Sequence, residues 1–371
     1  MSFQDKLDQY SDPKTDTPDI KVGHAKILSN YTDGSDEWIA ARKTGIGGSD
    51  AATIIGMKPY GNTREELWEE KTGRQERRIG NAATRFGSTI EPYIRLWLTK
   101  RAEDTPAIYE EFSTLIDFPY QMAHPDRLWQ KGNVDGLILE PDENTKHVGV
   151  EIKNSSVRYQ HPKKTWTDEG VLDIHYAQIQ HYMEALGLDR FKYVYFEPPS
   201  NREFLLSHAD FLKMEYGADD LTAYYLHLID EGDVHICDVE RDQSYIDLLN
   251  KAEEKFWEHV ETDTRPEELD PEGSVRIEDQ KLADLLESYG RAHAEIKAAK
   301  APKEAKKKKE DAKKKIKARA AAISAAHDDA KEILVGDDRV YWHGRGYWVA
   351  DPKDREVSKK PSTFEKSDLP F

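Results

Sequence analysis

Between residues 31 and 238 the spacing of apolar side chains switches repeatedly between the helical period near 3.6 and the strand period of 2. In "RFGSTIEPYIRLWLTKR", Ile90, Ile94 and Trp97 or Leu98 share one helical face, with Glu91 beside it and Gly87 and Ser88 at the expected start of the helix. "VDGLILE" (Val134 to Glu140) and "VGVEIK" (Val148 to Lys153) alternate as strands around the polar turn "PDENTKH", which predicts an antiparallel hairpin. "HYAQIQHYMEALGLD" is helical and leads into the strand "KYVYFEPP"; Gln178 and Tyr182 are four apart and share a face that Gln180 does not. Mixed periods of this kind predict an α/β or α+β body.

Outside that body the pattern changes. Residues 1–30, rich in Asp, Lys, Pro and Thr, read as a partly disordered leader, and residues 239–275 as a closing helix and a Pro- and Glu-rich linker punctuated by Pro266, Pro271 and Gly273. From 276 to 335, Leu282, Leu285, Leu286, Tyr289 and Ile296 recur at helical spacing and Pro302 interrupts, so a helical hairpin or short coiled coil is expected. Residues 336–371 form a β tail in which aromatic and polar residues alternate around Gly344 and Gly346.

Composition narrows the chemistry. The chain of 371 residues has a single cysteine, Cys237, so neither a disulfide framework nor a thiolate cage for zinc or iron–sulfur is available, and any metal must be held by oxygen or imidazole. No apolar run is long enough to span a bilayer and the polar start does not read as a signal peptide, which points to a soluble, cytoplasmic protein with no membrane contact. A formal net charge of −17 repels nucleic acid on average, so a polyanion would have to be met by local basic patches or bound cations.

The hairpin brings Asp135 to the sheet end that also carries Glu151 and Lys153. Residues two apart on a strand share a face, so Glu151 and Lys153 project together while Ile152 turns into the core. Taken alone, an ordinary hairpin with a surface Asp and a Glu–Lys pair is the plainer reading, because charged strand ends are common. Two carboxylates beside an ammonium would equally form a site for a hard cation such as Mg²⁺, which prefers oxygen ligands, with the lysine acting on water or phosphate. Glu91, from the upstream helix, could add a third carboxylate. Further upstream, "RKTGIGGSDAATIIG" has glycines that allow close backbone approach, Ser49 as a candidate N-cap, and Arg42 able to fork onto a phosphate at the N-terminus of the next helix.

Taken in order, "WIAARKTGIGGSDAATIIGMKPYGNTREELWEEKTGR", "IEPYI", "VDG…EIK" and Gln178-x-x-x-Tyr182 resemble the PD-(D/E)XK nuclease core of the phage alkaline exonucleases, the YqaJ and lambda-exonuclease group, from about Trp38 to Phe196. The resemblance implies a restriction-endonuclease-like α/β fold, a mixed central sheet flanked by helices. It implies Mg²⁺-dependent hydrolysis of DNA, with Mn²⁺ able to substitute, by a 5′-to-3′ exonuclease on duplex ends in phage-type recombination. Asp135, Glu151, the Ile152 carbonyl and Glu91 would hold metal, Lys153 would serve the attacking water, and Gln178 would orient it or the phosphate. Arg42, Ser49 and Tyr182 would bind substrate. A single-strand annealing recombinase partner and a homo-oligomeric ring follow from the same likeness. The "HPDRL" at Asp126 is a second partial match to the motif aspartate, and Asp135 is preferred because its strand pairs with "VGVEIK".

An endonuclease of the same core and a catalytically silent scaffold are the rival classes. The run "KEAKKKKEDAKKKIKARA" reads as the solvated face of the hairpin, with its Ala and Ile residues making the contact. Tyr341, Trp342, Tyr347 and Trp348 either pack or stack on bases. His124, His175 and His181 read as ordinary polar residues.

Overall fold

The computed structural model describes residues 20–29, 35–57, 59–75, 82–142, 145–155, 170–199, 217–266, 274–276, 278–298, 303–327, 330–335, 338–343 and 347–351. Most of the expected leader, Gly344, Gly346, the side chains of Ile296, Tyr347 and Trp348, and everything after residue 351 lie outside them. The chain divides into one unit of Met1–Asp270 with Ala321–Asp329 and another of Pro271–Ala320 with Ala330–Phe371.

In the first unit the order is β1 (Lys26–Ser29), α1 (Asp36–Lys43), β2 (Ile46–Gly47), α2 (Gly48–Ile54), α3 (Arg64–Lys71), α4 (Ala82–Asp104), the single turn α5 (Pro106–Tyr109), β3 (Leu115–Ile116), β4 (Gln121–Ala123), β5 (Gln130–Gly132), β6 (Gly136–Ile138), β7 (Val148–Asn154), α6 (Asp173–Leu186), β8 (Arg190–Glu197), α7 (Ala218–Glu231), β9 (Asp233–Glu240) and α8 (Gln243–Glu261). Five strands form the main sheet in the order β3-β6-β7-β8-β9; β7 and β8 run parallel and the other neighbours antiparallel. A parallel pair cannot be joined by a tight turn, and helix α6 lies in the crossover between β7 and β8. A smaller sheet, β1-β4-β5-β2, ends in a parallel pairing of β2 with β5 that sets Gly47 opposite Lys131.

Strand β7 explains how the sheet is covered. Val148, Val150 and Ile152 pack with Ile90, Ile94, Trp97 and Leu98 of α4, while the alternate residues Gly149, Glu151 and Lys153 face the other way. Burying each of these large aliphatic side chains contributes about 1.5–3 kcal/mol. On the second face, Ile179, Tyr182, Met183 and Leu186 of α6 pack with Phe191, Tyr193 and Tyr195 of β8. A Cβ at Gly149 would stand 2.4 Å from the Phe191 ring, so the alternation of β7 includes a glycine where that ring crosses.

Two expectations are corrected. Helix α4 does not open at Gly87 and Ser88 but runs through them from Ala82. Gly87 instead sits where a Cβ would come within 3.0 Å of Asn154 Oδ1, so its role is a close approach of the helix to the end of β7. The strand expected from Val134 to Glu140 is shorter, Gly136–Ile138; at its start the Asp135 N–H still donates to the Val150 carbonyl at 3.0 Å, but the Ile152 N–H is accepted by the Asp135 side chain at 2.7 Å in place of a backbone carbonyl.

In the second unit, α9 (Gln280–Ala298) and the part of α10 (Lys303–Ala326) up to Ala320 run antiparallel, since Lys309 stands over the Tyr289 ring at 5.3 Å and Arg319 pairs with Asp279 at 2.9 Å. Leu282 and Leu286 are buried, as are Ala312, Ile316 and Ala320, whereas Lys307 and Lys308 are exposed. The remaining strands, β10 (Ser274–Arg276), β11 (Glu332–Val335), β12 (Asp338–His343) and β13 (Tyr347–Asp351), form a sheet in that order, so the tail hairpin is half of a four-stranded sheet with Trp342 opposite Trp348.

A buried ion pair ties α6 to α8. His181 Nδ1 meets Glu253 Oε1 at 2.7 Å and its Nε2 meets the Lys131 carbonyl at 2.8 Å, with both side chains wholly buried. Facing two acceptors, the ring donates from both nitrogens and is an imidazolium; burial opposes that charge, but Glu253 outweighs it and raises the pKa. Glu253→Ala is expected to cost about 3–5 kcal/mol in urea unfolding by stranding that cation. Because the folded-state pKa lies above the ordinary 6.5, the pair's stabilisation is complete below that pH and is lost as pH rises through the raised value. The variant and the parent chain should therefore differ less in stability at alkaline pH.

Candidate active site

The end of the main sheet gathers the polar residues that the alternation of β7 points away from α4. Glu151 is 1% exposed, and its Oε1 accepts from Gln178 Nε2 at 2.5 Å and pairs with the Lys153 ammonium. Gln178 Nε2 also reaches Tyr182 Oη at 3.2 Å, so the shared helical face of the two residues is directed at the carboxylate. Across the antiparallel pair Gly136 stands opposite Val150, which carries Asp135 to the level of Glu151. Asp135 Oδ2 accepts the Ile152 N–H. An extended residue directs its N–H and C=O to the same strand edge, so the Ile152 carbonyl faces the Asp135 side as well.

Electrostatics bind these groups together. Burial, reinforced by the Asp135 charge, raises the Glu151 pKa to about 8 against the pull of Lys153. Burial disfavours the charged form of Lys153, but Glu151 and Asp135 outweigh it and hold the ammonium above its ordinary range. Glu91 is raised to about 7, first by burial and then by Asp135. Glu91 Oε1 accepts from Arg95 Nη1 at 2.5 Å, and the same nitrogen donates to the Asp135 carbonyl at 2.7 Å, while Nη2 lies 3.2 Å from Asp117. Arg95 thus joins Glu91 to the backbone of Asp135, and among the described residues no three His, Cys, Asp or Glu side chains stand grouped as metal ligands. The donor set is still one that suits Mg²⁺ or Mn²⁺: carboxylates, a carbonyl edge, and a Glu151 Oε2 that is buried without a hydrogen-bond partner.

Asp126 does not join this set. It is an exposed residue of the turn between β4 and β5, in the smaller sheet, where its backbone N–H donates to His124 Nδ1.

The glycine-rich motif approaches from the smaller sheet. Gly48 is where it touches: a Cβ there would lie 2.5 Å from the Tyr182 ring and 2.9 Å from Gln178 Cγ. Ser49 is not the N-cap of α2. Gly47 occupies that position, its N–H bonded to Asp50 Oδ2 at 2.9 Å, so the amide expected for an anion is already engaged and α2 is only seven residues long. Ser49 Oγ instead accepts from Arg42 Nη2 at 3.0 Å, and the Arg42 guanidinium lies 4.9 Å from the Trp38 ring centroid. Asp50 is buried against Lys71, whose Nζ lies 2.7 Å from Oδ2 and also donates to the Arg42 carbonyl at 3.1 Å. Burial would raise the Asp50 pKa, but Lys71 and Arg42 hold it well below the carboxylate range.

Arg95, Asp50, Lys71 and Lys131 were not singled out from sequence. Arg95 carried a signal, standing four residues after Glu91 on a helix, and so did Asp50, three residues after Gly47; Lys71 and Lys131 act through partners more remote in the chain. His175 is buried, with Nδ1 2.6 Å from Tyr193 Oη, and burial pushes its pKa well down. No helix among the described residues is long and apolar enough to cross a membrane.

Gly48→Ala is expected to destabilise the protein by about 1–3 kcal/mol, because the new methyl group has no room beside Tyr182 and Gln178. Denaturant titration of the variant against the parent chain would measure it.

Comparison with known proteins shows what the chain is similar to. Residues 37–189 match the model of the YqaJ-like viral recombinase domain. The uncharacterised protein YqaJ of Bacillus subtilis (strain 168) is 28% identical over 239 residues, covering 63% of this chain and 59% of its own length. Crystal structures of the alkaline exonuclease LHK-Exo from Laribacter hongkongensis, alone and in complex with dAMP, are each 18% identical and cover 62% of this chain and 94% of theirs, with a TM-score of 0.39. Over residues 37–189, which include the mixed-sheet strands that bear Asp135, Glu151 and Lys153, the chain is thus similar to the YqaJ-like viral recombinase domain.

Proposed function

We propose that the protein is a metal-dependent deoxyribonuclease, a 5′-to-3′ exonuclease acting on the ends of duplex DNA. The observation that carries this reading is the meeting of Asp135, Glu151, Lys153 and Gln178 at one end of the main sheet, where Glu151 is bonded to both Lys153 and Gln178. A surface hairpin with an incidental Glu–Lys pair would not bury its glutamate to 1% exposure. Asp135, Glu151 and the Ile152 carbonyl would hold Mg²⁺, or Mn²⁺ in its place, with Glu91 beside them. Bound there, the cation would polarise a phosphoryl oxygen and lower the pKa of a water.

The chain's own groups would do the rest. Gln178 fixes the orientation of Glu151 and shares its amide with Tyr182, so the carboxylate is set before substrate arrives. Lys153, 28% exposed, can direct its remaining N–H groups to the attacking water or to charge that grows on the phosphate. Arg42 and Ser49, joined to each other and lying on the same side of α6 as Gln178 and Tyr182, would grip a terminal 5′-phosphate. Resection from the 5′ end leaves a 3′ single strand, the substrate of a single-strand annealing recombinase, and a homo-oligomeric ring would keep such an enzyme on its duplex.

The deciding experiment follows release of label from end-labelled linear DNA and conversion of nicked and closed circular DNA, with and without Mg²⁺. Metal-dependent loss from linear ends is expected, and cleavage of closed circles as fast as linear DNA would replace this reading with an endonuclease. Asp135→Ala and Glu151→Ala should each lower the rate by about a thousandfold or more with the fold intact by circular dichroism. Lys153→Ala should lower it by about 10²–10⁴-fold while metal-dependent DNA binding persists.

A separate measurement concerns ends. A free 5′-phosphate carries more charge than an internal diester, and a forked guanidinium favours it. Arg42→Ala should erase most of the preference for 5′-phosphorylated over 5′-hydroxyl duplexes, compared at one fixed low salt concentration because phosphate contacts weaken steeply as salt rises.

A further inference from the structure

Lys131 lies on β5, in the middle of a hydrophobic and backbone environment that ordinarily excludes lysine. It is 3% exposed and has no carboxylate among its bonded partners. Its Nζ donates to the Ala41 carbonyl at 2.8 Å and to Thr44 Oγ1, at the last turn and C-cap of α1, the helix that carries Arg42. Its stem fills the space over Gly45, where a Cβ would come within 2.8 Å of Lys131 Cε and 2.4 Å of the Trp129 carbonyl. Its backbone pairs with Gly47, two residues before Ser49. The turn from Ala41 to Gly47 is therefore held by one residue at both ends and in the middle. Together with Gly45, Gly47, Gln121 and Asn133, Lys131 and Arg42 line a recess.

We propose that Lys131 is a positioning residue for Arg42, fixing the end of α1 so that the guanidinium is already held beside Ser49 when a terminal phosphate arrives. The inference rests on the reading above in which Arg42 grips that phosphate. Charge in the neighbourhood agrees with it. Lys71 and Arg42 flank one carboxylate, Asp50, and burial, with the same two cations, pulls the Lys131 pKa down to about 7. The cluster carries more positive than negative charge in a place where water cannot screen it, and an incoming phosphate offsets the excess.

The test compares kcat/KM on 5′-phosphorylated and 5′-hydroxyl duplexes for the full-length chain, for Lys131→Met, which keeps the stem and removes the donor, and for Thr44→Val, which removes an acceptor and keeps the lysine. Lys131→Met should lower the phosphorylated-to-hydroxyl ratio by about tenfold, mainly through KM on the phosphorylated duplex, since a charge-assisted bond no longer sets the helix end. Thr44→Val should shift the ratio in the same direction by less. Loss of folding alone would depress both substrates together and leave the ratio unmoved, and if Lys131→Met does not fold, Thr44→Val decides. A parent-like ratio in the folded variants while Arg42→Ala loses it would overturn the role of Lys131 alone. No preference in the parent chain would overturn the reading of Arg42 and this inference with it.

Discussion

A carboxylate on an inner strand of a sheet has to be desolvated, and the protein around Glu151 is arranged to make that tolerable. Its Oε1 is taken by an ammonium two residues along the same strand and by an amide from the helix that covers this face. Asp135 stands at its level across the antiparallel pair, adding like charge rather than relieving it. Two acids held together in a poorly hydrated place raise each other's energy, and a cation is the most effective remedy. The unpartnered Oε2 marks where the chain itself supplies none.

The period of 2 turns that local demand into architecture. Ile152 can fill the hydrophobic layer against α4 only because Glu151 and Lys153 are turned to α6, and a slip of one residue would put both charges into the core. Helix α6 then has three tasks on three parts of its surface. Gln178 and Tyr182 face the site; Ile179, Met183 and Leu186 face the core; His181 and Glu184 are paired elsewhere, His181 with Glu253 and Glu184 with Arg127 and Arg241. Such a helix cannot shift without disturbing all three sets, which gives Gln178 a fixed seat. The contact of Gly48 with the same helix extends that rigidity to the loop carrying Arg42.

What the sequence made legible was local. The alternation of "VGVEIK" placed Glu151 and Lys153 on one face, and the four-residue spacing placed Gln178 with Tyr182; both arrangements are present because strand and helix periods need no knowledge of the rest of the fold. Arg42 and Ser49 are joined, though not through the cap assigned to Ser49, because Asp50 three residues after Gly47 competes for the helix start. Gly87 was misread for a related reason: glycine permits a helix boundary and also a close approach, and only Asn154, remote in sequence, distinguishes them. Of the histidines taken for ordinary polar residues, His175 and His181 are buried, and the partner that makes His181 an ion-pair member lies on α8, 72 residues away. Lys131 in "LWQKGN" gave no sign of its burial, because the Ala41 carbonyl that receives it belongs to another element.

The formal charge of −17 weighed against nucleic acid, yet net charge describes the far field and a substrate is bound in the near one. At physiological ionic strength exposed charges more than about 8 Å apart are largely screened from each other, whereas buried ones are not. Around Arg42 the buried groups are Lys71, Lys131 and a single aspartate, a local excess of cations; around the buried Glu151 stand Asp135 and Glu91, met by Lys153 and Arg95. The two clusters are joined through Gly48 and α6. An acidic chain can in this way carry a locally cationic surface, because salt screens its distant exposed charges more than its buried ones.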